Sequence, residues 1–570
     1  MWFLNLQRTP RLILICVVLG VIGGLGAEVF LNLLHFFETN VLANIGGYQT
    51  INVEAAHAGG LAPQPFKHFY WLLPVSTTLG GLVAGILIYG LAPETEGPGT
   101  DPVLTAFHNG DGKMRARVPF VKTLASAITI GTGGSGGREG PMVHIGSGFG
   151  AIIGQLFNLS DDERRIVILI GMAAGLSALF KSPLGGAIFA VEILYSRMAF
   201  EGGALIYTMI SAAIAYSITG LFSGFTPLFI LSESTRELIP LDLLWFTILG
   251  ALAGGVGALM PWIYYRVRAW FIALGIPRAV KPAIGGLAVG LIGIAMPPII
   301  GGGYGYMQFV LQGGAGLSIW MLLLFTFGKI FTLSLSVGSG GSGGVFGPTL
   351  FVGVMLGGTF ASLLNLLGVE VDSSWLAAVG MAAVLAGTAR VPIAGMVMVI
   401  EMTGGFTLIM PTMLAVAVAF LVQLLLSRNV KYPTIYENQA RTPADSPVYR
   451  ESFYQTAADL LRRQQVHLDS DILDTELQAA MERDEGVSLR FSGERLYRLS
   501  MPSGSPVAGE EIRNLGLEDM GVIVVGVIRG EGQILPRGDT RLQVRDGLLV
   551  AATETSIQAF RAMIASPQSE

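Results

Sequence analysis

Gly131-Thr-Gly-Gly-Ser-Gly-Gly-Arg-Glu-Gly-Pro141 is the stretch on which the reading of the whole chain turns. An apolar run (120–130) precedes it, and a second (142–156), helical in pattern, follows. Glycine lets backbone N–H groups face a ligand with no Cβ in the way. A helix N-terminus adds unsatisfied donors and a partial positive charge. Together they make an anion site, and Glu139 would place a carboxylate, itself an anion, inside it. An ionisable group among membrane-grade segments is costly and usually functional.

The loop occurs twice. Gly338-Ser-Gly-Gly-Ser-Gly-Gly-Val-Phe-Gly-Pro348 matches it in length and glycine placement, with Val345 and Phe346 where the first copy has Arg138 and Glu139. Downstream, Gly171-Met-Ala-Ala, Pro183 and Glu192 recur as Gly380-Met-Ala-Ala, Pro392 and Glu401. Upstream, Gly-Gly-Leu-Val-Ala-Gly from Gly80 recurs as Gly-Gly-Leu-Ala-Val-Gly from Gly285. Interrupted apolar helices at matching places in two halves point to a transporter's binding site.

Gly-Arg-Glu-Gly-Pro at 137–141, Gly-Val-Phe-Gly-Pro at 344–348 and Gly-Pro-Gly at 97–99 resemble the three anion-binding signatures of the CLC chloride channels and transporters. The resemblance spans roughly residues 12–442. It implies an all-α polytopic membrane protein of two inverted repeats with broken helices, working as a homodimer with one pore per subunit. The substrate is then chloride or another small anion, with no enzyme activity and no cofactor. Glu139 becomes the gate, competing with anion for the outer site and withdrawing when protonated. Backbone N–H groups of Gly137, Arg138 and Gly140 are expected donors there, and those of Val345 and Phe346 at a central anion. Tyr436, in Pro-Thr-Ile-Tyr-Glu, matches a tyrosine whose hydroxyl reaches the central site. Where the family usually has Gly-Ser-Gly-Ile-Pro, this chain has Gly97-Pro98-Gly99-Thr100-Asp101-Pro102, so Pro98 and Gly99 stand at the serine's anion-binding place. Proline offers neither a side-chain nor a backbone donor. Plant nitrate-selective members share it, which sets nitrate beside chloride as the anion.

A second departure concerns protons. Proton-coupled members mostly carry a glutamate immediately after the one matching Glu192, whereas this chain has Ile193. Isoleucine takes up no proton, so uncoupled anion conduction is expected. The alternative is a proton-coupled chloride or nitrate/H+ antiporter of the same family. Glu192 and Glu401, equivalent in the two repeats, are read as braces between helices.

Composition agrees. Of 570 residues, 52% are hydrophobic and 13% charged, outside soluble norms. At about 20 residues per crossing, the apolar portion accommodates roughly ten to fourteen membrane segments. One cysteine, Cys16, excludes intrachain disulfides and a cysteine metal cluster. No nucleic-acid partner is expected; the bilayer is the chain's medium. The first apolar run, after Arg8 and Arg11, reads as a retained helix rather than a removed signal. Arg8 and Arg11 and the loop cluster Lys113, Arg115, Arg117, Lys122 are expected to face the cytoplasm, the loop around Glu233 to face outward, and both termini are expected to be cytoplasmic.

The expected domains are a transmembrane anion-transport domain at 1–432 (repeats about 12–220 and 241–432), a cytoplasmic helical linker at 433–495, and a regulatory domain at 496–570. In the linker, 456–464 reads as an amphipathic helix. Runs at 521–529 and 547–553 read as strands bounded by turns. With Gly-Asp-Thr at 538–540 and Arg-Asp-Gly at 545–547, this region resembles the TrkA-C (RCK-C) domain, an α/β module that takes a small ligand, here unassigned. A remote rival is an intramembrane serine protease built on Ser135 in Gly-Gly-Ser-Gly-Gly. It would need a histidine to take the serine proton, and none stands in a supporting motif.

Overall fold

The computed structural model describes residues 8–51, 53, 70–232, 237–314, 317–448, 487–488, 495–502, 504–529, 532–534 and 536–565. The chain separates into two compact units, Met1–Gln439 and Ala440–Glu570. Most of the expected linker, including 456–464, and the loop around Glu233 lie outside the described residues.

The first unit is helical. Its helices are α1 (Arg8–Phe37), α2 (Leu73–Leu91), α3 (Thr100–Asn109), α4 (Val118–Gly131), α5 (Glu139–Leu156), α6 (Asp161–Phe180), α7 (Pro183–Glu192) and α8 (Gly202–Ser223). Then follow α9 (Pro240–Ala273), α10 (Lys281–Ala295), α11 (Tyr304–Leu311), α12 (Ile319–Gly338), α13 (Phe346–Leu366), α14 (Ser373–Ala389), α15 (Pro392–Thr403) and α16 (Ile409–Leu426). The second set repeats the first in order and kind, so the duplication read in the sequence extends to every helix. Among the described residues, eight helices are long and apolar enough to cross a membrane. Others, such as α3, α7, α11 and α15, are too short to span a bilayer; Thr100 at the start of α3, Glu192 at the end of α7, Leu311 at the end of α11 and both ends of α15 are buried in protein, where broken helices are tolerated.

Local chemistry sets the breaks. Both α6 and α14 stop on a left-handed residue, Lys181 (φ 54°) and Arg390 (φ 55°). A proline two residues later opens the next helix with its φ already helical. Where α5 crosses α6 the backbones nearly touch: a Cβ at Gly146 would lie 2.1 Å from the Gly171 carbonyl oxygen. At the equivalent crossing of α13 on α14, a Cβ at Gly353 would lie 2.4 Å from the Gly380 carbonyl oxygen. Small residues at such crossings let membrane helices gain close van der Waals contact.

Glu192 and Glu401 brace the repeats against each other. The Glu192 carboxylate, ending α7, accepts from the N–H groups of Ile393 (3.1 Å) and Ala394 (2.7 Å) at the start of α15. Glu401, near the end of α15, accepts from Ser182 Oγ (2.5 Å), Leu184 N–H (3.2 Å) and Gly185 N–H (2.8 Å) at the start of α7. Each carboxylate thus satisfies orphan donors at the other helix's positive end.

One reading is corrected. Lys122 belongs to no exposed basic cluster: it is fully buried within α4, while Lys113 and Arg115 are exposed.

The second unit holds an antiparallel sheet, β1 (Val487–Ser488), β2 (Arg495–Ser500), β3 (Val522–Arg529), β4 (Gly532–Ile534) and β5 (Gly547–Ala552), in the order β1-β2-β5-β3-β4. Helix α17 (Glu554–Ile564) adds Ile557, Phe560 and Ile564 to the core formed with Val522, Val524, Val527, Leu548 and Val550. Asp546, 1% exposed, takes both forks of the Arg529 guanidinium (2.9 and 2.8 Å) and the Gln543 N–H (2.8 Å). An all-helical membrane unit with broken helices and a small α/β unit are as expected.

Candidate functional site

The two glycine-rich loops meet back to back. Gly137 N–H donates to the Gly344 carbonyl at 2.7 Å, and Gly344 N–H donates to the Gly137 carbonyl at 2.7 Å. This corrects one expectation: the Gly137 N–H is committed to the bridge between loops and is not offered to an anion. Space is tight there as well: a Cβ would lie 2.1 Å from a Glu139 carboxylate oxygen and 2.9 Å from Pro348 Cδ. Buried serines reinforce the junction. Ser135 Oγ donates to the Ile299 carbonyl (3.0 Å) and accepts from Thr332 Oγ1 (3.1 Å). Ser342 Oγ donates to the Thr95 carbonyl (3.1 Å) and pairs with Ser126 Oγ (2.8 Å). Ser135 is therefore a structural crosslink, with no histidine on it among the described residues, and nothing in its contacts supports the protease reading.

Glu139 opens α5 and is 0% exposed. Its carboxylate reaches across to the other repeat, where Oε2 accepts from the Gly347 N–H at 3.1 Å. Oε1 accepts from the Tyr304 hydroxyl. A carboxylate from one repeat thus sits on the N-terminus of α13 from the other, where N–H donors and the helix dipole favour an anion. A Cβ on Gly347 would fall 2.6 Å from the Tyr304 hydroxyl and 2.7 Å from the carboxylate, so a side chain there would push this pairing apart. The Arg138 guanidinium lies 4.3 Å from the Tyr304 ring centroid, as a cation–π contact. Val345 caps α13, and the ring of Phe346 packs on Phe180 (4.9 Å) and Phe189 (5.5 Å). Their side chains are packing, which leaves their backbones as the polar contribution.

A second symmetric device holds the turns before α3 and α11. Lys122 Nζ donates to the carbonyls of Thr95 (3.0 Å) and Gly97 (2.8 Å). Lys329 Nζ donates to the equivalent carbonyls of Ile299 (2.9 Å) and Gly301 (2.6 Å). Both turns end on a left-handed glycine, Gly99 (φ 90°) and Gly303 (φ 76°). The Pro98 carbonyl packs on α5 so tightly that a Cβ at Gly140 would lie 2.2 Å from it. Tyr436 is buried and hydrogen-bonds the Thr100 side chain. Its loop is fixed by Ile435 N–H on the Thr388 carbonyl (3.1 Å) and Tyr265 OH on the Ile435 carbonyl (3.1 Å). Ile193 is buried at the end of α7, its carbonyl accepting from Gln439 Nε2 at 2.9 Å.

Sequence reasoning passes over Tyr304 and Thr100. The signal was present: they follow equivalent turns, Gly301-Gly-Gly-Tyr and Gly97-Pro-Gly-Thr, and each meets a named site residue.

Two cavities border these groups, at opposite ends of α2. The first, near its start, has a volume of about 370 Å³ and is lined by Arg138, Tyr304, Glu38, His35 and Lys181. The second, past its end, has a volume of about 520 Å³ and is lined by Gly97, Pro98, Asp101, His144, Arg268 and Glu437 among others.

The family model described as "Voltage gated chloride channel" matches residues 80–424, and the "TrkA-C domain" model matches 496–565. The voltage-gated ClC-type chloride channel ClcB of Salmonella dublin is 30% identical over 434 residues, covering 75% of this chain and 99% of that protein. The H(+)/Cl(-) exchange transporter ClcA of Klebsiella pneumoniae strain 342 is 27% identical over 451 residues, covering 76% and 89%. In fold the chain is similar to a slow cyanobacterial Cl-/H+ antiporter (TM-score 0.63, 24% identity, 75% of this chain and 96% of that one). It is also similar to a CLC-type fluoride/proton antiporter (TM-score 0.62, 21% identity, 77% and 100%). The chain therefore belongs to the voltage-gated chloride channel (CLC) family of multi-pass membrane proteins, joined to a TrkA-C domain.

Proposed function

We propose that the membrane unit conducts chloride, or a small anion such as nitrate, down its gradient without proton exchange, and that Glu139 is its gate. One observation carries this reading: the Glu139 carboxylate lies on the α13 N-terminus, held by the Gly347 N–H and the Tyr304 hydroxyl. An anion bound there must displace it. With Gly137 committed to the loop bridge, the donors left are the backbones of Arg138, Gly140, Val345 and Phe346, together with the Tyr436 hydroxyl. Neutral dipoles suit conduction, because a full fixed charge would retain the anion too strongly to release it. Gly99 shapes its turn, and Pro98 donates nothing.

Uncoupled conduction follows from Ile193, an apolar side chain buried where a proton would need a carrier. The relative named as an exchange transporter and the neighbours named as antiporters support a second reading, in which protons move by another route. The two are separated by the reversal potential of the full chain in liposomes under a chloride gradient, with and without an opposing pH gradient. A potential set by chloride alone supports the channel. A displacement by pH in a fixed ratio makes the protein an exchanger.

The family likeness also supports a homodimer with one pore per subunit and both termini in the cytoplasm. The C-terminal unit then regulates gating through a small ligand.

A further inference from the structure

We infer that His144 is an anion-binding side chain of the cavity past the end of α2, its ring N–H donating to a halide-like anion. This rests on the anion-conducting reading above and adds a donor to it.

His144 lies on α5 and is 0% exposed, yet neither ring nitrogen has a hydrogen-bond partner among the described residues. It lines the same cavity as Pro98. A neutral imidazole presents one donor and one acceptor, and leaving either unmet in a buried site is unfavourable. The described protein around it meets neither, which leaves the cavity as the route by which a partner reaches the ring.

The duplication supplies an internal control. The position equivalent to His144 is Phe351, three residues past Pro348 as His144 is three past Pro141. In the second repeat, Lys329 rests over the Phe351 ring, Nζ 5.1 Å from its centroid, and that ring needs no polar partner. In the first repeat the equivalent lysine, Lys122, acts electrostatically on His144. The same helix position beside the same buried lysine thus holds a phenyl ring in one copy and a hydrogen-bonding ring in the other.

Charge selects the ligand. Lys122 disfavours a cation beside the ring and favours an anion. The other charges around the cavity are committed elsewhere. Glu437 pairs with Arg268 at 2.6 Å, and Asp101 accepts from the Asn438 N–H at 3.1 Å. Glu94 pairs with Arg115, Lys113 lies 3.7 Å from Asp111, and Glu96 hydrogen-bonds Tyr89. Position agrees as well. His144 is four residues after Gly140, hence on the same face of α5 one turn on, and Gly140 is where the Pro98 carbonyl packs. The wall that loses a donor at Pro98 regains one at His144.

The test uses bromide as the probe on crystals of the full chain, with anomalous scattering, for the native protein, His144→Leu and His144→Gln. Half-saturation of bromide flux from the His144 side is measured in liposomes for the same three. Expected is an anomalous peak at hydrogen-bonding distance from a His144 ring nitrogen, lost in His144→Leu and kept in His144→Gln. Half-saturation should rise on the order of three- to tenfold in the leucine variant, the effect of one hydrogen bond. Bromide peaks elsewhere in the pathway with none at His144, or a water there in their place, overturn the inference. Unchanged half-saturation in His144→Leu does so too. No bromide anywhere in the membrane unit would instead overturn the reading on which the inference rests.

Discussion

Tyr304→Phe isolates one hydroxyl. The phenyl ring keeps the contact under Arg138 at 4.3 Å and the stack on Phe229 at 6.4 Å, so only the hydrogen bond to the Glu139 carboxylate is deleted. A hydrogen bond to a charged group contributes about 1.5–3 kcal/mol. The Gly347 N–H still holds the other carboxylate oxygen, so the lower end of that range applies. At about 1.4 kcal/mol per tenfold change, the ratio of open to closed gate should rise about tenfold. Reconstituted into liposomes under a chloride gradient at neutral pH, Tyr304→Phe should release anion faster than the native protein. Glu139→Gln sets the upper limit, since it removes the charge altogether. Native-like flux in Tyr304→Phe alongside raised flux in Glu139→Gln would refute the latch while leaving the gate intact. Equal flux in all three would remove Glu139 itself.

Further outcomes follow from the same geometry. Glu139→Gln should flatten the pH dependence of anion flux, read as flux between pH 5 and 8. Glu401→Gln loses one of two acceptor oxygens that cap α7 and should lower stability by about 1–3 kcal/mol, seen as earlier melting in detergent with the reversal potential in liposomes unaltered. Gly140→Ala forces a Cβ to 2.2 Å from the Pro98 carbonyl, a backbone atom that cannot swing aside; monodisperse protein should be lost in size-exclusion chromatography. In the C-terminal unit, the Arg513 hydrogen bond holds the Glu511 carboxyl below its ordinary value of 4.5, with Arg541 adding to it. That contribution is complete above the ordinary value and fades as pH falls through the lowered one. Glu511→Gln should therefore remove part of the acid-side slope of melting temperature against pH.

Much of the fold was legible because glycine and proline punctuate it. The two eleven-residue loops, the Gly-Met-Ala-Ala runs and the prolines that open α7 and α15 all survive duplication in recognisable form. The braces at Glu192 and Glu401 were legible for the same reason. Burial of Lys122 was not, because its neighbours Lys113, Arg115 and Arg117 in sequence are surface residues, and only the fold turns α4 inward. Commitment of the Gly137 N–H was also hidden, since it depends on which backbone the loop meets across the repeat boundary.

Comparing the repeats with each other separates scaffold from site. Positions that build the junction are kept alike in both copies: Lys122 and Lys329 on equivalent carbonyls, Ser135 and Ser342 on the same pair of turns, Glu192 and Glu401 as reciprocal caps. Symmetric contacts of this kind fix the two halves against each other and do not distinguish one end of a pathway from the other. A gated path needs that distinction. It enters where equivalent positions differ: Glu139 against Phe346, Arg138 against Val345, Tyr304 against Thr100, Pro98 against Gly302, His144 against Phe351. Three of the five differences place a charge or an extra polar group in one copy where the other has an apolar side chain. These divergent pairs gather around the joined loops and the two cavities, so on the proposed reading the asymmetry of the copies marks out the path more sharply than either copy's motif alone.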